Sequence, residues 1–168
     1  MNLRLIQPTD RPALEALLQR IENFTKEEVE VALELIDGAV SDPKGSGYNA
    51  KVLEVESDSG LRLAGYLCWG PTPMTARTFD IYWVAVDGAF RGRGLGRALM
   101  LDLEAHIAST GGGNLRLETS SKESYGKTLQ FYLDLGYEVA SNLPDFYAPG
   151  DALIILYKQI AATKAPAV

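Results

Sequence analysis

Leu3 and Leu5 alternate with polar neighbours, a two-residue period that predicts a short strand ending near Pro8. The period then lengthens to helical spacing. Thr9 or Asp10 can cap a helix that sets Leu14, Leu17, Leu18 and Ile21 on one face. Thr25-Lys26-Glu27-Glu28 has the form of a capping box and opens a second helix that buries Val29, Ala32, Leu33 and Ile36. From Asp37 to Asn49 the chain carries Gly38, Pro43, Gly45 and Gly47 and reads as loop. Two alternating runs, Lys51 to Ser57 and Leu61 to Trp69, flank Asp58-Ser59-Gly60 and read as a hairpin. Gly70-Pro71-Thr72-Pro73 imposes an irregular connection into a strand from Thr78 to Val86.

Helical spacing returns at Leu95, Ala98, Leu99, Leu103 and Ile107, until Gly111-Gly112-Gly113 stops the helix. Leu115 and Leu117 mark another strand, a helix through Phe131 and Tyr132 follows, and the last strands lie near Tyr137 to Ala140 and Leu153 to Tyr157. The tail from Ala161 to Val168 reads as frayed. These elements describe an α/β (α+β) fold with a mixed sheet of about seven strands and about four helices. One domain is expected over residues 1–160, with 161–168 as a tail.

Composition narrows the function. At 168 residues, 46% of them hydrophobic, the chain suffices for one core and is short for two domains of ordinary size. Its 16 basic and 22 acidic residues give a net charge of −6, which disfavours a nucleic-acid partner and suits an amine. The single Cys68 cannot form an internal disulfide and reads as a small buried hydrophobe. The N-terminal apolar run is too short for a signal peptide, and no stretch approaches the ~18 apolar residues a membrane span needs. A cytoplasmic protein without a membrane partner is expected. His106, the single histidine, reads as a surface or boundary helix residue, and no Cys/His cluster has metal-ligand spacing, so no metal is expected.

One segment concentrates the chemistry. After the strand ending Val84-Ala85-Val86, a loop places Gly92, Gly94 and Gly96 between Arg91, Arg93 and Arg97 and opens into a helix. Glycines let backbone amides approach a ligand, and a helix N-terminus offers unpaired N–H groups and partial positive charge: an anion cradle with room for a pyrophosphate. The dinucleotide fingerprint fails, because Arg97 or Leu99 stands where its last glycine belongs. The ATP-type loop fails too, because no Gly-Lys-Ser/Thr follows Gly96. A glycine-rich turn that merely reverses the chain remains open at this point.

Arg91-x-x-Gly94-x-Gly96 resembles the acyl-CoA-binding signature of the GNAT family of N-acetyltransferases, and Phe131-Tyr132-Leu133-Asp134-Leu135-Gly136-Tyr137 is similar to that family's later helix signature. The resemblance covers most of the chain from about Leu61 onward and implies the GNAT fold, in which two central strands splay apart and the cofactor inserts between them. Where the family often carries Asn and Ala, this chain has Tyr125 and Thr128, which changes the contacts offered to the cofactor. The resemblance implies cofactor contacts from Val84, Ala85, Val86, Arg91, Gly92, Arg93, Gly94, Leu95, Gly96, Arg97, Tyr125, Thr128 and Tyr132.

It also implies a chemistry: direct transfer of the acetyl group of acetyl-CoA to a primary amine. Tyr132 stands at the family's general-acid position, a phenol with an ordinary pKa near ~10 that can return a proton to the departing sulfur. Asp80, six residues before Val86, matches the place of a catalytic glutamate in histone-acetylating relatives, and Glu118 on the next strand is the second candidate base. A solvated strand end, or binding of the substrate ammonium, is an equal alternative for either carboxylate. Tyr82, Asp145 and Tyr147 are candidate substrate contacts; the last two belong to Pro144-Asp145-Phe146-Tyr147-Ala148-Pro149-Gly150-Asp151, read as a connection between strands. Segments at Gly70, Tyr82, Glu118 and Asp145 are similar to those of bacterial acetyltransferases assigned to amino acids such as D-alanine. The expected acceptor is therefore a small-molecule amine or amino acid, in a chain that can form a homodimer. Alternatives are acetylation of a protein N-terminus or lysine, a non-catalytic acyl-CoA sensor, and an interaction module that binds no cofactor.

Overall fold

A computed structural model describes residues 1–22, 24–57 and 60–163. Its strands are β1 (Asn2–Leu5), β2 (Asn49–Ser57), β3 (Gly60–Pro71), β4 (Thr78–Val86), β5 (Gly113–Ser120), β6 (Glu138–Ala148) and β7 (Asp151–Ile160). Its helices are α1 (Arg11–Leu18), α2 (Lys26–Ser41), α3 (Pro43–Ser46), α4 (Leu95–Ser109) and α5 (Gly126–Asp134). The strands hydrogen-bond in the order β1-β2-β3-β4-β5-β7-β6. β4 and β5 run parallel, joined through α4 as a parallel pair requires, and the pairs β1/β2, β2/β3, β5/β7 and β6/β7 are antiparallel. This is the expected mixed sheet, with the short α3 as an extra helix.

The chain divides into two compact units. The first comprises Met1–Pro71 and Tyr82–Leu103. Its core gathers Leu14, Leu17 and Leu18 of α1 and Ala32, Leu33 and Ile36 of α2 with Val52, Tyr66 and Cys68 of the strands. Burial pushes the Cys68 thiol up to about 12, the behaviour of the inert hydrophobe expected from sequence. The second unit comprises Thr72–Ile81 and Glu104–Val168, with Leu115, Leu117, Tyr132, Tyr137, Leu153 and Leu156 buried.

Several local expectations change. Asp10 does not cap α1 with its side chain; the carboxylate instead accepts from Arg4 at 2.7 and 2.8 Å and from the Gln7 N–H at 2.8 Å. Helix α1 ends at Leu18, so Ile21 reaches the core from the following segment. The Thr25 capping box forms as expected, Thr25 Oγ1 accepting from the Glu28 N–H and Glu28 from the Thr25 N–H. The loop read from Asp37 to Asn49 is mostly helix, because Gly38 acts as a packing glycine: a Cβ there would meet the Tyr48 ring at 3.0 Å. Asp42 then starts α3 by accepting the Gly45 N–H at 2.9 Å. Strands β2 and β3 form the expected hairpin, whose turn residues Asp58 and Ser59 lie outside the described residues. At the other end, β6 and β7 extend far beyond their predicted cores, leaving only Pro149 and Gly150 between them. In the predicted tail, Thr163 donates its N–H to the Ala108 carbonyl at 3.1 Å, and 164–168 lie outside the described residues.

Candidate active site

In the first unit, β4 delivers the chain into the glycine–arginine loop. Asp87 donates its N–H to the Ala64 carbonyl at 2.8 Å, and its carboxylate accepts the Ala89 N–H at 3.0 Å, capping a single 3₁₀ turn, Gly88–Phe90. Gly92 and Gly94 follow with φ of +76° and +74°, a conformation that L side chains rarely adopt. A Cβ built at either would meet no heavy atom within 4 Å, so the backbone there is open to a ligand. Helix α4 begins at Leu95, and its first helical bond, Ala98 N–H to Gly94 C=O at 3.0 Å, leaves the N–H groups of Leu95, Gly96 and Arg97 without helical acceptors. Arg91, Arg93 and Arg97 are exposed around this turn, Arg91 within 3.8 Å of Glu22. Open positive-φ glycines, free amides and three guanidiniums fit a pyrophosphate.

Earlier on the same strand, the β4–β5 ladder runs from Thr78↔Asn114 to Ile81↔Leu117. Val84, Ala85 and Val86 lie past its last rung. Tyr82 packs edge-on against Tyr48 with centroids 5.4 Å apart, a partner that the sequence reading missed.

In the second unit both candidate carboxylates meet on one guanidinium. Asp80 faces Arg116 across the ladder, accepting from Arg116 at 2.7 Å and from the Thr72 hydroxyl at 2.9 Å. Arg116 also pairs with Glu118, two residues along β5 on the same face. Asp80 is 13% exposed and Glu118 40% exposed, so Glu118 is the more accessible of the two. The Asp80 hydrogen bond, opposed by burial and aided by the charge of Glu118, raises the Arg116 pKa and keeps it cationic. Sequence reading missed Arg116 because it occupies an ordinary polar position of an alternating strand; only the register places it opposite Asp80.

Tyr132 is buried in α5, 7% exposed, with its ring 5.0 Å from Phe131 and 5.9 Å from Tyr137. Burial raises its pKa well above the ordinary phenol value, so the phenol holds its proton across any working pH. Among the described residues, no hydrogen bond or ion pair joins Tyr132 to Asp80 or Glu118. Tyr125 and Thr128 are half-buried at the start of α5, Tyr125 as its N-cap residue.

The segment from Pro144 to Tyr147 is not a free connection. It is an outward bulge within β6, where the register with β7 jumps from Leu143↔Leu153 to Ala148↔Asp151. Asp145 adopts φ +55° and accepts the Gly150 N–H at 2.6 Å, which closes the bulge. Phe146 and Tyr147 project from it, 57% and 50% exposed, with rings edge to face at 5.0 Å. A separate cavity of about 340 Å³ between α1 and α2, lined by Glu15, Gln19, Phe24, Val29 and Leu33 among others, includes none of the expected site residues. Among the described residues no group of three or more His, Cys, Asp or Glu could hold a metal ion, and no helix is long and apolar enough to cross a membrane.

Residues 49–139 match the model of the acetyltransferase (GNAT) domain. A 116-residue stretch, 69% of the chain, is 28% identical to an uncharacterized protein of Mycobacterium leprae and spans 30% of that protein's length. A structure from Desulfovibrio desulfuricans, assigned to the GNAT family of acetyltransferases, superposes with a TM-score of 0.88 at 35% identity, over 95% of this chain and 99% of that one. The ribosomal-protein-S18-alanine N-acetyltransferase of Escherichia coli shares the fold with a TM-score of 0.74 at 20% identity, over 99% and 98%. So does an aminoglycoside 6′-N-acetyltransferase complexed with coenzyme A, with a TM-score of 0.71 at 20% identity, over 98% and 100%.

Proposed function

The chain belongs to the GNAT family of acetyltransferases, and we propose that it is an acetyl-CoA-dependent N-acetyltransferase whose acceptor is the primary amine of a small molecule or amino acid, alanine-like ones included. The observation that carries this reading is the gathering of Asp80 and Glu118 on Arg116 at the end of the β4–β5 ladder. Carboxylate oxygens on a partly exposed face suit an ammonium group, and the acidic chain favours the approach of a cation. Tyr82, and Tyr147 beside Phe146, add aromatic surface for the body of the substrate, while Asp145 shapes the bulge that presents the latter pair.

Acetyl-CoA brings the acetyl group as an activated thioester. The segment Arg91–Arg97 holds its pyrophosphate with loop amides and guanidiniums, and Val84, Ala85 and Val86 hold the pantetheine arm and polarise the carbonyl; such a backbone donor is worth about 10²- to 10³-fold in rate. Tyr125 and Thr128 add contacts from the start of α5. Glu118 takes the ammonium proton, directly or through a water, because both oxygens of Asp80 already accept hydrogen bonds. As the C–N bond forms and the C–S bond breaks, Tyr132 gives its proton to the sulfur and regains one through solvent as the nitrogen sheds its second proton to become the amide.

The test is thermal unfolding with and without acetyl-CoA, alongside release of free thiol over a panel of amines, amino acids and peptides. A rise in Tm together with release for a small amine or amino acid is expected. Release with peptides alone moves the acceptor to protein N-termini. A rise without release from any acceptor favours a non-catalytic acyl-CoA binder, and no rise overturns the assignment of the loop.

A further inference from the structure

The glycines that open the loop to a ligand also leave it without internal restraint, so something must set its shape before the cofactor arrives. Among the described residues Arg91 pairs with Glu22, at 3.8 Å and on the surface. The segment just before the loop is held far more tightly. Asp87 is 4% exposed, and its Oδ2 accepts from two guanidiniums, Arg20 at 2.8 Å and Arg62 at 3.1 Å, while Oδ1 accepts the Ala89 N–H. Its own N–H is bonded to Ala64 on β3. Phe90 is buried beneath two cations, the guanidiniums of Arg62 and Arg93 lying 5.3 and 5.2 Å from its centroid. Arg62 therefore touches both the carboxylate and the ring, and Arg93 links the ring to the loop.

We propose that Asp87 is a positioning residue for the cofactor, with Arg20 and Arg62 as its counter-ions: it locks the turn Gly88–Phe90 so that the amides and arginines of residues 91–97 are already aimed at the pyrophosphate. This rests on the reading that the loop binds acetyl-CoA. The lock divides the arginines by task. Arg20 and Arg62 are engaged by Asp87 and serve structure, and Arg91, Arg93 and Arg97 remain for the anion. A preorganised loop binds more tightly because its ordering is completed before the ligand arrives.

Charge and shape predict opposite outcomes for one substitution, which makes the proposal testable. Asp87→Asn keeps an oxygen for the Ala89 N–H but removes the negative charge beside a polyanion site. Simple electrostatics then predicts tighter binding of acetyl-CoA; loss of the lock predicts weaker binding, by about tenfold. The experiment is calorimetric titration of acetyl-CoA into the full chain, at a temperature where every variant is folded. Asp102→Asn serves as a control that removes another paired carboxylate of the same unit, Asp102 with Lys51 at 2.6 Å, away from the turn. A weaker Kd in Asp87→Asn with an unchanged Kd in the control supports the lock. An unchanged or tighter Kd in Asp87→Asn, or equal weakening in the control, overturns it. Should Asp87→Asn not fold, Arg20→Gln leaves Arg62 and the cap in place, and hydrogen exchange over residues 88–96 of the ligand-free protein gives the reading: faster exchange supports the lock and unchanged exchange overturns it. Failure of the unsubstituted protein to bind acetyl-CoA is a separate result, and overturns the cofactor reading itself.

Discussion

A buried tyrosine and a shared guanidinium give separable consequences at the level of single residues. Tyr132→Phe removes one oxygen from a side chain whose ring is packed on Phe131 and Tyr137, so the fold is retained and Tm changes little. With Tyr132 as the general acid, turnover falls by about 10²- to 10⁴-fold while the Kd for acetyl-CoA stays within about twofold, read by thiol release and calorimetry. The two carboxylates on Arg116 separate in a different way. Glu118→Gln leaves the Asp80–Arg116 pair intact and lowers kcat with little change in Tm. Asp80→Asn removes the less exposed partner of Arg116 and Thr72, and costs about 1–3 kcal/mol of stability, seen in denaturant unfolding. Equal loss of kcat in both variants, at equal stability, would show that Asp80 shares the base role.

Among the elements, α2 carries the clearest local signal, and it can be tested alone. Its capping box satisfies the Glu28 and Thr25 amides reciprocally, so Thr25→Ala leaves a helix donor without its side-chain partner and lowers stability by about 1 kcal/mol, measured by urea unfolding, with acetyl-CoA affinity unaltered. The capping box was legible because all its parts lie within four consecutive residues. Gly38 was misread because the reason for it, the Tyr48 ring, lies outside that window: a glycine that makes room for a neighbour and one that breaks a helix look alike until the neighbour is placed. The β6 bulge was half legible. Pro144 and the aromatic pair marked the segment as unusual, but pairing of β6 with β7 on both sides of it turned a connection into an interrupted strand.

For the whole molecule, acid is the expected weakness. Asp10 is held below its ordinary value of 3.8 chiefly by its hydrogen bonds from Arg4, and Glu54 below 4.5 by Arg4 and then Asn2. For Asp87, burial pushes the pKa up, but the Ala89 N–H with Arg20 and Arg62 outweighs it and the net direction is downward. Asp151 is lowered by the Ser120 hydroxyl and then Lys122. The unfolded chain binds protons to these groups first, so their stabilisation is present in full above the ordinary carboxylate values and is lost as pH falls through the depressed ones. Calorimetry should therefore give a Tm that these groups leave flat above about pH 5 and that drops steeply below about pH 4; a Tm unchanged down to pH 3 would falsify their role. Arg4 is the hub of that sensitivity, since it joins Asp10 and Glu54 from a separate strand. By itself the sequence determined the order of the strands and of every helix but α3, the glycine–arginine loop ahead of α4, the capping box and the family, because each is written in short-range spacing: periods of two and 3.6, glycines beside arginines, an aromatic pair before a helix-ending glycine. Only the tertiary structure decided that Arg116 joins Asp80 to Glu118, that Arg20 and Arg62 converge on Asp87, and that burial raises the Tyr132 phenol. Those depend on which distant residues a strand register and a packed core bring within hydrogen-bond reach, a distance along the chain that no local pattern encodes.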